Sequence, residues 1–153
     1  MMKPQFFRST DGKSITIHGI NLRFLTRGID TDGKWILIDC KAPPKYSGPP
    51  PHVHKKAEEG FYVTSGTLSV MSNGTQRNVS EGEYLLIPPG VVHKFSNPYE
   101  EPASFLLFSS PAGLDDYFME LEQLIEEEPS WPPSDMRKVL ALMAKYDTYP
   151  PSR

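Results

Sequence analysis

Between residues 13 and 109 the chain is written almost entirely in short runs of β-forming residues: SITIH, LRFLT, KWILIDC, FYVTS, TLSVM, TQRNV, EYLLIP, VHKFS and SFLLFS. Turn-forming residues separate them at roughly 8 to 12 residue spacing, with no helical period between, a pattern that argues for an antiparallel sandwich or barrel. Asn73-Gly74, between TLSVMS and TQRNVS, marks a tight hairpin, because both residues tolerate the positive φ of a type I′ turn.

After Ser110 the character changes. Residues 111–127 set Leu114, Tyr117, Phe118, Leu121, Leu124 and Ile125 on one stripe, which predicts an amphipathic helix with Ser110 as N-cap and Pro111 at the first helical position. A proline-rich break at 128–133 follows. Ser134 is then placed to cap a second helix carrying Met136, Val139, Leu140, Met143 and Tyr146. These helices are expected to cover sheet faces or edges. The organisation expected is therefore a β-barrel over residues 1–110 with a helical extension, 111–153, packed on it as one domain.

Composition limits the partners. The chain has 153 residues, 38% of them hydrophobic and 23% charged, enough to bury a core without disulfides. Its single cysteine, Cys40, has no intramolecular partner and reads as a small buried apolar group. Net charge is −3 with Lys and Arg scattered, so no electrostatic footprint for nucleic acid is expected. MMKPQFFRSTDGK has no apolar signal core, and no run of apolar residues is long enough for a membrane span. A cytoplasmic protein with a small-molecule partner is the expectation.

The stretch PPPHVHKKAEEGFYVTSG, residues 49–66, holds two of the four histidines. In a strand, residues i and i+2 share a face, so His52 and His54 point together while Val53 points away. Glu59 opens the next strand, from which a carboxylate can reach the same spot. GEYLLIPPGVVHKFSN, residues 82–97, adds His93 just after a Pro-Pro-Gly turn, leaving only His18 outside the constellation. By the same alternation Phe61 and Val63 share a face with Glu59, and Val91 and Phe95 share one with His93, so these four are candidate lining for an apolar substrate pocket. Tyr62 and Tyr84 carry hydroxyls suited either to a substrate or to an interface.

These residues resemble the cupin family. Its first motif joins His-x-His to a Glu and, six residues beyond, a Gly; His52, His54, Glu59 and Gly66 fit it, although the leading glycine, Gly48, stands closer to His52 than the motif asks. The second motif is matched at each fixed position by Gly82, Pro88, Gly90, His93 and Asn97. DTDGKW, SSPAGLDDYF and AKYDTYP extend the resemblance to the quercetinase-like single-domain cupins. The resemblance implies a jelly-roll barrel, the cupin double-stranded β-helix, with one divalent transition metal ion per chain (Fe, Mn, Ni, Cu or Zn) held by His52, His54, Glu59 and His93. Glu58 is the alternative carboxylate, since the motif allows three or four residues after the second histidine. Glu59 alone keeps the gap to Gly66.

The resemblance further implies an oxidoreductase of the quercetin 2,3-dioxygenase-like type acting on a flavonol-like or β-diketone-like substrate, with Glu59 as catalytic base. It also implies a two-fold homodimer built from sheet surfaces, with exchange of N-terminal strands. Cupin sites of this kind also serve isomerases and lyases, and a non-catalytic small-molecule-binding barrel is the reading from another class.

Overall fold

The computed structural model describes residues 3–152, and each of the nine expected segments overlaps a strand. In chain order these are β1 Ser14–Ile17, β2 Ile20–Thr26, β3 Ile36–Ala42, β4 Val53–His54, β5 Glu58–Ser65, β6 Thr67–Ser72, β7 Thr75–Ser80, β8 Tyr84–Ile87, β9 His93–Ser96 and β10 Ala103–Ser110. Helices α1 Leu114–Glu127 and α2 Arg137–Lys145 follow, and a two-residue strand, β11 Thr148–Tyr149, closes the chain. The short β4 and β11 are the strands that sequence periodicity does not announce, because two residues cannot show a period.

One sheet runs β1-β2-β3-β10-β5-β8 and a second β7-β6-β9, all antiparallel, while β11 pairs with β4. Inward residues alternate along β1, β2, β3 and β10: β10 buries every second residue, including Phe105 and Leu107, and β3 buries Ile36, Ile38, Cys40 and Ala42. Phe61, Phe95 and Phe105 meet at the centre with ring centroids 5.5 to 6.0 Å apart, the spacing at which aromatic edges and faces attract beyond simple burial. Cys40 sits in this core, where burial pushes its thiol pKa well up. It is a small apolar group, as its isolation in the sequence suggested.

Local chemistry explains the corners. Asn73 and Gly74 have φ of 46° and 79° and close the β6–β7 hairpin. Gly48 has φ of +75°, and a Cβ built there would fall on the Phe95 carbonyl oxygen, so only glycine lets this segment lie against β9. Asn97 is fully buried and acts as a staple. Its amide donates to the carbonyls of Pro43 (3.0 Å) and Glu101 (2.8 Å), and its side-chain oxygen accepts from the Tyr99 N–H (3.1 Å).

Both helix starts differ from expectation. Ser110 is the last residue of β10, paired with Glu58, and its hydroxyl donates to the Lys34 carbonyl; the sheet ladder wins over the cap. Helix α1 begins after Gly113 and is anchored by Asp115, which is buried and accepts from the Gly28 N–H at 2.9 Å, with Arg27 Nε at 3.6 Å. Helix α2 begins at Arg137 rather than near Ser134, and the Asp135 carboxylate takes the Arg137 N–H (3.0 Å). The apolar stripe of α1 packs on the barrel through Leu114, Tyr117, Phe118, Leu121 and Ile125. On α2, Val139 and Met143 are buried while Leu140 faces out.

Candidate metal centre

Three elements carry the cluster. His52 bridges to His93 through paired backbone hydrogen bonds (3.0 and 2.9 Å), which brings the His-x-His strand beside β9. His54 ends β4, and Glu59 lies one residue into β5. The ligand atoms of His52, His54, Glu59 and His93 all lie within 4.8 Å of one another, and Glu59 Oε2 is 3.1 Å from His54 Nε2 and 2.6 Å from His93 Nε2. Glu58, the other candidate, is adjacent in the strand and outside this group, as alternation demands.

Each imidazole is oriented from behind. Nδ1 of His52 lies 2.9 Å from the Pro50 carbonyl, Nδ1 of His93 lies 2.9 Å from the Val91 carbonyl, and Nδ1 of His54 lies 3.0 Å from the Asp147 carbonyl. A carbonyl only accepts, so each Nδ1 carries the proton and each Nε2 is left to face the cluster. Backbone carbonyls behind imidazoles are a recurring support for metal-ligating histidines. The first two partners stand two residues before their histidine, and the third comes from the far end of the chain.

Electrostatics favours the same reading. Burial lowers the His52 pKa to about 4, so at neutral pH its ring is uncharged, the form that binds metal. Burial works against charge on His54 too, yet the hydrogen bond and charge of Glu59, with the Asp147 carbonyl, raise its pKa. Burial alone would raise Glu59, but the hydrogen bonds from His54 and His93 hold it well below the usual carboxylate range. The buried carboxylate is therefore an anion wrapped by imidazoles. Protons and a cation compete for the Nε2 positions, and three imidazoles with one carboxylate suit a first-row divalent ion. The cluster thus has the donors, the burial and the support to hold a metal ion.

Three members of the cluster, His52, His54 and Glu59, line a cavity of about 410 Å³, within the range of small-molecule sites. Phe95 lines it. Phe61 and Val63 do not: both are fully buried in the core, since β5 dips to the barrel centre beyond Glu59. Val91 packs against the core beside the cluster and is likewise absent from the cavity wall. Tyr62 and Tyr84 are exposed on the outer sheet face. The wall that sequence reasoning missed comes from Tyr46, Trp131, Met143, Thr148 and His18, whose ring centroid is 5.5 Å from that of Trp131. An apolar helix stripe was the available signal for Met143; for His18, in a turn at φ 47°, there was none.

With this geometry in hand, the relatives are informative. Residues 39–109 match the cupin domain family (Cupin_2). Residues 39–109 thus form a cupin domain, and the barrel is the cupin double-stranded β-helix with two C-terminal helices. The chain is 33% identical over 100 residues to the probable oxidoreductase virH of Hypocrea virens, covering 60% of this chain and 46% of that protein. To the quercetin 2,3-dioxygenase of Aspergillus japonicus it is 29% identical over 114 residues, covering 69% of this chain and 32% of that one. The chain thus spans about half or less of the length of these curated relatives. Among solved structures, the polyketide cyclase RemF of Streptomyces resistomycificus superposes with a TM-score of 0.61 at 26% identity, over 72% of this chain and 80% of that one. Among the described residues no helix is long and apolar enough to cross a membrane.

Proposed function

We propose that this protein is a metal-dependent cupin oxidoreductase of the quercetin 2,3-dioxygenase-like type, acting on a small organic substrate. The observation that carries the reading is the buried three-histidine, one-glutamate cluster opening onto an apolar cavity. The similarity to a probable oxidoreductase and to a quercetin 2,3-dioxygenase supports it. His52, His54, Glu59 and His93 would hold the ion, which supplies Lewis-acid polarisation of a substrate oxygen and, for redox-active metals, electron transfer toward dioxygen.

The chain's own residues do the rest. The carbonyls of Pro50, Val91 and Asp147 fix the ring planes, so the substrate end of the cavity is rigid. The cavity wall excludes water and orients the substrate with its acidic hydroxyl or carbon toward Glu59. Glu59, held as a carboxylate, accepts that proton at Oε2, and the resulting electron-rich carbon is the one that reacts with dioxygen. Both oxygen atoms enter the product, so no external reductant is required.

Oxygen uptake by protein loaded in turn with Fe, Mn, Ni, Cu and Zn, against flavonols and β-diketones, tests the proposal. At least one pair turns over, and Glu59→Gln, fully metallated, loses roughly 10² to 10⁴ in kcat. No uptake with any pair would leave a ligand-binding barrel; equal kcat in the variant would remove Glu59 as the base. The likeness to RemF favours a second reading, acid–base rearrangement of the substrate without dioxygen. Turnover that persists under argon would select it.

A further inference from the structure

Strand β10 alternates strictly, and its first three inward residues, Ala103, Phe105 and Leu107, are apolar. The fourth, Ser109, breaks that pattern and is fully buried. In register it stands between Ile36 of β3 and Glu59 of β5, so the row at which β10 meets the cluster is the row that carries a hydroxyl. Residues directly opposite in an antiparallel pair share a face, with Cβ atoms about 4.5–5.5 Å apart. Among the described residues three buried side-chain polar atoms lack a hydrogen bond: Arg27 Nε, Asp115 Oδ1 and Ser109 Oγ. The first two belong to one ion pair, but Ser109 has no such compensation. A buried hydroxyl without a partner is destabilising, and alanine would fill the same place at less cost.

Glu59 supplies the matching acceptor. Its Oε2 lies 3.1 Å from His54 Nε2 and 2.6 Å from His93 Nε2, whereas among the described residues no hydrogen bond reaches its Oε1. The contacts to Oε2 need protons on Nε2, and a cation at the cluster takes the Nε2 lone pairs in their place. The carboxylate then keeps both imidazoles as neighbours and loses them as donors. We infer that Ser109 is a positioning residue of the metal centre: its hydroxyl donates to Glu59 Oε1, directly or through one water, and fixes the carboxylate plane once the imidazoles no longer donate to it. This role rests on the metal centre of the reading above and not on the reaction assigned to it. Groups that hydrogen-bond a ligating carboxylate set its orientation, and their loss lowers metal affinity about 10- to 100-fold.

Co²⁺ is the probe, because its visible d–d bands report the geometry of its ligands. Purified protein is stripped with chelator and reloaded with Co²⁺, and its affinity is measured by chelator competition. Ser109→Ala binds Co²⁺ about 10- to 100-fold more weakly than wild type, with shifted d–d bands. Its metal-free form melts at the wild-type temperature or above, since an unpaired hydroxyl has been removed. Ser109→Thr, which keeps the hydroxyl on a residue suited to a strand, restores the wild-type spectrum and most of the affinity. Unchanged affinity and spectrum in Ser109→Ala overturn the inference, as does an affinity loss accompanied by a lower metal-free melt, which marks a structural hydroxyl. Failure of wild type to bind Co²⁺ removes the centre and this role with it, whereas failure of every oxygen-uptake assay leaves both untouched.

Discussion

At the scale of single residues, the choice between two adjacent glutamates decides the centre. Glu59 lies among the three imidazoles and Glu58 does not. Glu58→Gln should therefore leave metal content nearly unchanged in elemental analysis, and Glu59→Gln should reduce it; the opposite order would mean that the shorter motif spacing is in use. This much was legible in the sequence, because strand alternation fixes which side chains share a face. Alternation does not fix depth. Phe61 and Val63 share the face of Glu59 yet sit in the closed core, while Phe95 reaches the cavity from the opposite sheet. Nor does it reveal what stands behind an imidazole. The partners of His52 and His93 lie two residues back, but that of His54 is Asp147, 93 residues away in the chain.

That long-range contact belongs to the scale of elements. The turn between α2 and β11 grips the loop between β4 and β5. The Asp147 carboxylate accepts from the N–H groups of Lys55, Lys56 and Ala57 at 3.1, 2.8 and 3.0 Å, and β11 pairs Thr148 with His54. The Thr148 hydroxyl adds a contact to His54 Nδ1 at 3.3 Å, and Lys55 Nζ lies 4.1 Å from the Tyr149 ring centroid. The C-terminal segment is thus part of the centre's frame as well as of the cavity's wall. Asp147→Ala should cost about 1–3 kcal/mol of stability in a thermal or denaturant melt, from donors left unpaired. It should also weaken metal affinity about 10- to 100-fold in chelator competition. Asp147→Asn, which keeps an acceptor and tolerates the residue's φ of 53°, should recover much of both. A wild-type metal affinity in Asp147→Ala would show that the clasp does not orient His54. The helices themselves were legible from their stripes, but their starts were not. Where β10 ends and where Asp115 finds the Gly28 N–H are set by tertiary pairing that local capping residues do not report.

At the scale of the whole molecule, the six-stranded sheet turns an apolar outer face to solvent. Tyr62, Tyr84 and Leu86 are exposed on β5 and β8, and Trp35, leading into β3, stacks on Phe108 of β10. A contiguous exposed apolar face is characteristic of an interaction surface. The account predicts a two-fold homodimer that covers it, as the resemblance implied. Light scattering at micromolar concentration should give about twice the 17.3 kDa chain mass, and Tyr84→Glu with Leu86→Glu should return it to the monomer value. A monomer mass for wild type would reject the dimer. The overall barrel was legible because nine short strands leave few ways to close a core, and the packing of the helices over its mouth was not, because a helix stripe says that a face is buried without saying against what.

The central claim, that four side chains from three parts of the barrel form one metal centre, is tested most directly by elemental analysis of purified protein. Wild type is expected to carry about one first-row transition-metal ion per chain, and the His52→Ala, His93→Ala double variant, shown folded by circular dichroism, is expected to carry almost none. Full metal occupancy retained in that variant, or no uptake of any first-row ion by wild type, would contradict the account.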